Sequence, residues 1–253
     1  MRQRRFRLPR RALKALRSTP LAVRVGVGAI AVIGLALAVN WTYQVLRKPA
    51  ELFFPVSHAL SKVPTETWRQ YQPLFNQHAT AVVTADFLAA LAQVEGAGNP
   101  VARTYWRWRM TAEPFEVYRP ASSAVGMYQM TDAAFQDARR YCIRDHAVSE
   151  SCWFNSLYTR VVPSHAVELT AVFLDRAVAN VLRGQKATLQ QKQDLAAVIH
   201  LCGATAGAAY ARRGFRPERG ERCGTHRVAA YLAQVNAMKR QFAAEKGVRA
   251  IFL

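Results

Sequence analysis

The chain has 253 residues, 51% of them hydrophobic, and a formal net charge of +19 at pH 7. This length suits one substantial domain with appendages. A charge this basic is typical of nucleic-acid-binding proteins, but no helix-turn-helix, RRM or metal-finger pattern accompanies it, so we predict no nucleic-acid partner. Much of the charge lies at the start, where residues 1–17 hold eight Arg or Lys and no acid.

The first predicted element is a membrane helix at residues 20–44, preceded by a basic cytoplasmic tail at residues 1–19. Residues 25–39 form an uninterrupted apolar run, which extends to Leu21 if the Arg24 side chain snorkels to the headgroups and which Asn40-Trp41-Thr42-Tyr43 closes. With these flanks the segment reaches the roughly 20 apolar residues that cross a bilayer, and tryptophan is typical of the membrane–water interface. We therefore predict one transmembrane anchor.

The basic tail determines the expected orientation of this helix. Arg and Lys stay on the cytoplasmic side of membrane helices, so the chain after Asn40 is predicted to lie outside the cytoplasm. A cleaved signal peptide is the alternative, because Ala36-Leu37-Ala38 resembles a small-residue cleavage site. Both interpretations export the rest of the chain.

Residues 45–80 are predicted to be a juxtamembrane connector, because four prolines interrupt them. Within this connector Trp68, Tyr71 and Phe75 recur at spacings of three and four residues. This spacing is typical of one face of a helix, so we predict a short helix that packs onto the domain that follows.

Glu95 is the first candidate for chemistry, because it lies at the end of a short apolar helix. Thr84 is expected to cap the start of this helix, and a glycine-rich stretch from Gly96 to Pro100 ends it. The spacing of the apolar residues places Glu95 on the buried stripe. Lost hydration and the negative end of the helix dipole both favour a protonated carboxyl, which a general acid requires. The alternative is a last-turn glutamate that turns back to water.

The segment after this helix is rich in aromatic residues between positions 104 and 120. Alternation and aromatic content predict two strands there, which would form a small hairpin. The chain after residue 130 is predicted to be helical. The expected helices run from Thr131 to Tyr141, from Pro163 to Gly184, from Thr188 to Leu201 with a Thr188–Gln191 capping box, and onward from Thr225.

The four cysteines all lie in the part that is expected to be exported. They are Cys142, Cys152, Cys202 and Cys223. An even count outside the cytoplasm indicates disulfides, and three connectivities are open, of which Cys142–Cys152 with Cys202–Cys223 closes the shortest loops. A zinc site is the alternative, with His146, His200 and His226 nearby. The spacings match no zinc pattern, so we predict no metal.

Two motifs, Glu95-Gly96 and Gly126-Met127-Tyr128-Gln129, form a pair. They resemble motifs of the soluble lytic transglycosylase (SLT) family, whose lysozyme-like domains carry a glutamate at the end of a helix and a later Gly-Leu-Met-Gln segment. The chain departs from the family at Gly96, where serine is usual. It also departs at residues 200–203, where only the final glycine of an Ala-Tyr-Asn-Ala-Gly motif is retained. Tyr231 is similar to a tyrosine that the family carries after its third motif.

The resemblance implies an α+β, mostly α, lysozyme-like domain of the goose-type or SLT class at residues 81–246, followed by a tail at residues 247–253. It implies a bacterial inner-membrane protein with its catalytic domain in the periplasm and no cofactor. The implied reaction cleaves peptidoglycan between N-acetylmuramic acid and N-acetylglucosamine and leaves a 1,6-anhydro product. Glu95 would protonate the linking oxygen and then, as a carboxylate, accept the proton of the muramic 6-hydroxyl.

The resemblance also implies a set of substrate contacts around Glu95. The implied residues are Ser122, Ser123, Gly126, Met127, Tyr128, Gln129 and Tyr231. Gln129 is expected to bond the N-acetyl or hydroxyl groups of the sugar, the two serines to contact the muramic residue, and Gly126 to let the backbone approach the ligand. Tyr231 is expected to hold Glu95 in place. The aromatic residues expected either to stack on sugar rings or to lie in the core are Tyr105, Trp106 and Trp108.

Two other functions remain open alongside the transglycosylase. One is a hydrolytic muramidase on the same fold, and the other is a non-catalytic peptidoglycan-binding scaffold of an envelope-spanning machine, since the third motif is altered. A classical glycosidase needs a second carboxylate, for which the candidates are Glu113, Glu116 and Asp132. The expected partners are peptidoglycan glycan strands, the membrane through one N-terminal helix, and proteins of the envelope machinery.

Overall fold

The computed structural model describes residues 20–53 and 55–251, with side chains as far as Glu245. The predicted basic tail at residues 1–19 therefore lies outside the described residues. The fold is mostly helical with a few short strands. The helices are α1 (Leu21–Arg47), α2 (Pro64–His78), α3 (Ala85–Gly96), α4 (Asp132–Ala138), α5 (Pro163–Leu182), α6 (Leu189–Cys202), α7 (Ala204–Arg212) and α8 (Val228–Ile251). The strands form three two-stranded hairpins, β1 (Trp106–Trp108) with β2 (Tyr118–Pro120), β3 (Cys142–Arg144) with β4 (Ala147–Ser149), and β5 (Arg222–Cys223) with β6 (His226–Arg227).

The chain forms two compact units. The first unit contains α1 and the segment Trp106–Arg119, which holds β1 and most of β2. Helix α1 is 27 residues long, and it is long and apolar enough to cross a membrane, as the sequence predicts. Its large apolar side chains from Leu21 to Val39 are exposed, which suits a helix whose surroundings are lipid.

The second unit contains Ala50–Tyr105 and the chain from Pro120 onward, and it is built around α3. Every residue of α3 from Phe87 to Ala92 is buried, so this helix is apolar on all sides. Helices α2, α5 and α8 all pack against α3. Thr84 stands at the N-cap position as predicted, but its hydroxyl accepts a hydrogen bond from the Gln193 side chain at 2.9 Å rather than capping the helix.

The short helix predicted within residues 45–80 is present as α2. Helix α2 buries Trp68, Tyr71 and Phe75 against the core of the second unit, as their spacing predicts. Pro64 opens this helix at a position where its missing N–H costs nothing. Two short 3₁₀ turns precede it, at Pro49–Phe53 and Ser57–Leu60.

The helices after residue 130 confirm the predicted capping box and correct several boundaries. Thr188 and Gln191 exchange both hydrogen bonds of a capping box at the start of α6. Helix α4 ends at Ala138 rather than Tyr141, because the chain enters the β3–β4 hairpin at Cys142. The last helix begins at Val228 rather than Thr225, because Thr225 lies in the turn of the β5–β6 hairpin. It continues to Ile251, so most of the stretch predicted as a C-terminal tail is helical.

The cysteines pair as two disulfides, Cys142–Cys152 and Cys202–Cys223, with Cα atoms 5.8 and 5.5 Å apart. These are the two pairs that close the shortest loops. The first stabilises the β3–β4 hairpin and the loop after it. The second joins the last residue of α6 to β5.

Candidate active site

Glu95 lies in the last turn of α3, in the second unit. The helix ends there because Ala97 adopts the left-handed conformation, with a φ of 49°, and its N–H bonds back to the Gln93 carbonyl. The Gly98 N–H bonds back to the Ala92 carbonyl in the same way. The Glu95 side chain is 16% exposed, so its carboxyl is withdrawn from bulk water without being sealed from it.

Two side chains from other helices face the Glu95 carboxyl. The Tyr231 hydroxyl, on α8, donates a hydrogen bond to Oε1, and Nε2 of His200, on α6, lies 3.8 Å from the same oxygen. Burial, and then the charge of Glu95 and this hydrogen bond, raise the pKa of the Tyr231 phenol well above its usual value. The phenol therefore remains a donor at any ordinary pH and fixes the direction of the carboxyl group.

His200 is the residue of this cluster that the sequence does not assign to the site. Its side chain is 7% exposed. It lies three, four and seven residues after Ala197, Ala196 and Gln193, which are buried, so helical spacing places it on the same inward face. That spacing is the signal by which the sequence identifies an inward histidine, although nothing in the spacing identifies Glu95 as its neighbour.

Glu95 lines a groove of about 520 Å³, which we call the Glu95 groove. Its polar lining includes hydroxyl, imidazole and amide groups and one guanidinium, and Tyr105 adds an aromatic ring that is 73% exposed. The polar and aromatic residues that line it are Ser57, His58, Ser61, Gln93, Asn99, Arg103, Thr104 and Tyr105. Hydroxyl-rich ligands suit such a lining, because polar groups fix their orientation and a ring packs on their C–H faces.

A second groove of about 390 Å³ adjoins this cluster, and we call it the His200 groove. Gln129, Thr131, His200 and Gly203 line this groove, and Phe173 adds an apolar surface. Because His200 lines this groove and lies beside Glu95, the imidazole connects the second groove to the acid.

The loop at residues 122–131 is held tightly by its own hydrogen bonds. Val125 forms antiparallel bridges with Arg103 and with Met130. Gln129 has a φ of 46°, a strained conformation for a non-glycine residue. Its amide nitrogen donates to the Ala102 carbonyl at 3.1 Å and to the Gly126 carbonyl at 2.9 Å. The amide N–H groups of Gln129, which were expected to bind sugar, are therefore directed at backbone carbonyls. In this position Gln129 stabilises the conformation of the loop.

The two sequence motifs pack directly against each other at Gly96. A Cβ atom at this position would lie 2.8 Å from both the Cα and the carbonyl oxygen of Met127. Any side chain would therefore push against rigid backbone. This contact gives the physical reason for glycine directly after Glu95, and it holds the second motif against the end of α3.

Met127 and Tyr128 do not line either groove in the described part of the chain; both are at most 1% exposed and belong to the core. The expectation that they contact substrate is corrected by their burial, because their side chains point inward. Gly126 has a φ of 81° and permits a close approach, but the group that approaches is the Arg160 carbonyl, which a Cβ at this position would overlap.

Arg160 is a second residue that the sequence does not single out. Its guanidinium donates to the carbonyls of Ser123 and Met130 at 2.9 and 2.8 Å and pairs with Asp132 at 2.6 Å. Arg160 therefore fixes both ends of the loop that carries Gln129. Asp132, a predicted candidate for the second carboxylate, is therefore paired with Arg160. It is the second residue after Met130 and the first residue of α4.

The two serines serve the loop itself. Ser122 Oγ accepts the Ala124 N–H at 3.1 Å, and Ser123 Oγ accepts the Asp132 N–H at 3.2 Å. Both bonds are of the side-chain-to-backbone kind that stabilises turns. Among the residues that the structure describes, no group of three or more His, Cys, Asp or Glu side chains is arranged to hold a metal ion.

Glu116, another of the predicted carboxylates, has partners of its own. Glu116, in the first unit, pairs with Arg47 at 2.9 Å and with Arg119. Glu168 is a further acidic residue, which the sequence does not identify as a candidate, and it is 5% exposed. It accepts the Ile143 N–H and the Tyr158 hydroxyl, both at 2.8 Å, so its role is structural.

A scan against protein-family models finds no match, and a search of curated proteins finds no similar sequence.

Proposed function

We propose that this chain is a membrane-anchored lytic transglycosylase that cleaves peptidoglycan, with Glu95 as its acid and then its base. One observation carries the proposal: the Glu95 carboxyl is 16% exposed, lines a groove and is oriented by a buried phenol. The contact between Gly96 and Met127 joins the two motifs that resemble the SLT family. It supports a lysozyme-like fold for the second unit.

The proposed mechanism uses one carboxyl twice. Glu95 in its acid form gives its proton to the oxygen that links N-acetylmuramic acid to N-acetylglucosamine. The resulting carboxylate then takes the proton of the muramic 6-hydroxyl as that oxygen attacks the anomeric carbon and closes the 1,6-anhydro ring. Because the nucleophile belongs to the substrate, it is already in place, and no second carboxylate is needed to activate water.

Tyr231 would support both steps by keeping the carboxyl directed at the bond. Its hydroxyl donates to Oε1, and this hydrogen bond is strongest when Glu95 is charged, which stabilises the carboxylate formed after the first step. Tyr105, exposed on the rim of the Glu95 groove, would provide a ring for a sugar face.

The anchor and the disulfides support an exported location. Helix α1 is long and apolar enough to hold the second unit at a membrane. Two disulfides are typical of an oxidising compartment such as the periplasm. We propose a bacterial inner-membrane protein whose second unit meets peptidoglycan strands outside the cytoplasm.

A hydrolytic muramidase is the second candidate, and His200 is the observation that favours it. Its imidazole lies 3.8 Å from Glu95 Oε1 and is a second group that can accept a proton from water. The two functions differ in their products, because hydrolysis adds a water molecule and leaves a reducing end, whereas the transglycosylase leaves an anhydro ring.

The test is digestion of purified peptidoglycan sacculi, with the soluble muropeptides identified by mass spectrometry. We expect anhydro-muropeptides from the wild type and a rate lower by at least about 10³-fold from Glu95→Gln, which keeps the shape of the side chain but has no proton to transfer. The matched control is Glu66→Gln on α2, whose side chain is 46% exposed and which should keep the wild-type rate.

The products decide among the candidate functions. Reducing-end products from the wild type would establish the muramidase. Equal product release by Glu95→Gln would remove Glu95 from the chemistry. Binding of sacculi without any soluble product would favour the scaffold.

A further inference from the structure

The β1–β2 hairpin of the first unit is attached to α1 through the only strongly buried polar side chains that the structure describes on that helix. Asn40 Nδ2 donates to the Tyr118 carbonyl, and Gln44 Nε2 donates to the Phe115 carbonyl, both at 2.6 Å. Asn40 and Gln44 are four residues apart, so they lie on one face of the helix, and each is 5% exposed. The hairpin is therefore bound to a defined face of α1.

Two further contacts strengthen this attachment. One turn beyond Gln44, Arg47 pairs with Glu116 at 2.9 Å. The rings of Tyr43 and Phe115 pack with their centroids 5.0 Å apart. Two hydrogen bonds, an ion pair and an aromatic contact are thus spread along two turns of α1. Together they fix the height of the hairpin along the helix axis.

That height corresponds to the edge of a bilayer. Residues 21–40 extend about 30 Å at 1.5 Å per residue, which equals the thickness of the hydrocarbon core. Residues 40–47 then extend about 10 Å beyond it, through the layer of lipid headgroups. Since the hairpin contacts α1 at Asn40, Gln44 and Arg47, it lies at the level of the headgroups.

The exposed residues of the hairpin have the composition of a membrane-interface segment. Trp108 is 65% exposed, and Met110 is fully exposed. Arg107 and Arg109 alternate with them and are also exposed. In water, large apolar side chains gain nothing from such exposure, whereas indole rings and arginine are favoured at the boundary between hydrocarbon and headgroups.

The tryptophans are also placed at the right depth. The Trp106 and Trp108 rings pack on Tyr118, with centroid distances of 5.1 and 4.5 Å. The Tyr118 carbonyl accepts the Asn40 side chain at the end of the apolar run. The aromatic rings of the hairpin therefore lie beside the residue at which the hydrocarbon core ends, and with Trp41 of α1 they form one belt.

We propose that this hairpin is a second membrane contact, which places Trp108 and Met110 among the lipid headgroups next to α1. Arg107 and Arg109 meet the phosphates of anionic lipids there. The hairpin prevents α1 from rotating freely about its axis, because one face of the helix must carry an interfacial segment. The proposal requires α1 to span the membrane and is independent of the chemistry at Glu95.

The test uses the full-length chain in vesicles of phosphatidylethanolamine and phosphatidylglycerol. Met110→Cys is labelled with an environment-sensitive fluorophore, which the four disulfide-bonded cysteines do not take up. We expect a blue-shifted emission and at least a twofold quenching when the vesicles contain brominated lipid. The matched control is Leu157→Cys, a residue of the second unit that is 71% exposed, for which we expect emission typical of water and no quenching.

A second measurement requires no substitution. Wild-type protein in vesicles that contain a photoreactive phospholipid should form lipid adducts on the peptide that includes residues 106–110. Adducts on α1 alone, or equal emission from the two labelled positions, would overturn the proposal. A disulfide that joins two unlabelled Met110→Cys chains through the substituted position, without quenching of the labelled protein, would assign the surface to a second copy and would overturn it as well.

Discussion

At the scale of single residues, the behaviour of Glu95 depends on the two side chains that face its Oε1 atom. Tyr231 comes from α8 and His200 from α6, so two helices distant in sequence converge on the end of α3. The phenol is buried and has a raised pKa, so its proton stays in place through a catalytic cycle. In the proposed mechanism Tyr231 is therefore a positioning residue, and Glu95 is the group that exchanges a proton.

Replacing Tyr231 with phenylalanine should lower the activity while leaving the fold intact. The substitution keeps the ring, which packs in the core, and removes a hydrogen bond to a carboxylate, an interaction that contributes about 1.5–3 kcal/mol. We expect kcat on sacculi to fall roughly 10- to 100-fold, with KM little changed, because the loss is greatest when Glu95 is charged.

The matched control for this prediction is Tyr210→Phe. Tyr210 is 2% exposed and does not line the Glu95 groove, so the same chemical change there should leave kcat within about twofold of the wild type. If the two variants lose activity equally, the effect of Tyr231 comes from packing, and its hydrogen bond has no catalytic role.

The residue scale also shows what the sequence does not reveal. The positions of Glu95, Gln129 and Tyr231 follow from their motifs, but a motif does not say which of its side chains point inward. Met127 and Tyr128 are buried because Gly96 lets the Met127 backbone approach α3. Arg160 could not be assigned, because the carbonyls that it binds lie 37 and 30 residues earlier and its own segment carries no motif.

At the scale of elements, the end of α6 and the start of α8 together position the partners of Glu95. The Cys202–Cys223 disulfide joins the end of α6 to β5, with Cys202 two residues after His200 and Cys223 eight residues before Tyr231. The sequence predicts this pairing through its short loop, but it does not predict α7, which follows Gly203 without a capping Ser, Thr, Asn or Asp. Nor does it predict that the β5–β6 hairpin delays the start of α8.

Removing the Cys202–Cys223 disulfide should cost more activity than removing the other disulfide. The two loops, of 21 and 10 residues, each restrict the unfolded chain by roughly 3 kcal/mol in the chain-entropy model. The double substitutions Cys202→Ser/Cys223→Ser and Cys142→Ser/Cys152→Ser should therefore lower the free energy of unfolding by similar amounts. Only the first pair loosens the segments that carry His200 and Tyr231.

The measurement compares the two double variants at a temperature at which both remain folded. We expect the first to lose at least tenfold in kcat on sacculi and the second to remain within about threefold of the wild type. Equal losses would show that the disulfides act on stability alone and that neither positions the site.

At the scale of the whole molecule, a polar network joins α2 to α5. His78, at the end of α2, lies 3.9 Å from the Glu168 carboxylate on α5. Glu168 also accepts the Tyr158 hydroxyl, and the Tyr158 ring stacks on His165 with a centroid distance of 4.1 Å. Burial, and then the hydrogen bond to Glu168 and the charge of Glu168, raise the pKa of Tyr158 to about 12. Sequence patterns predict the helices that meet here, but not the polar side chains that meet between them, because these contacts depend on how the helices pack.

This network makes the stability of the fold depend on pH. Burial lowers the pKa of His78 below its usual value of 6.5, and the neighbouring His165 lowers it further, although Glu168 opposes both effects. Burial also lowers the pKa of His165, against the opposing charge of Glu168. Between each lowered value and about pH 6.5 the unfolded chain binds more protons than the folded chain, so the free energy of unfolding rises with pH. The stabilisation is complete above about pH 6.5 and is lost as the pH falls through the lowered values.

We therefore expect the urea midpoint of the full-length chain in detergent to fall when the pH is lowered from about 7.5 to about 5.0. His78→Gln should reduce this dependence, because glutamine takes up no proton, and the variant should show its largest difference in slope below about pH 6.5. Near-UV circular dichroism follows the unfolding, since the buried Trp68 and Tyr128 report on the core. An unchanged midpoint across this pH range would show that the Glu168 carboxylate compensates fully for the burial of both histidines, and that the network leaves the fold insensitive to acid.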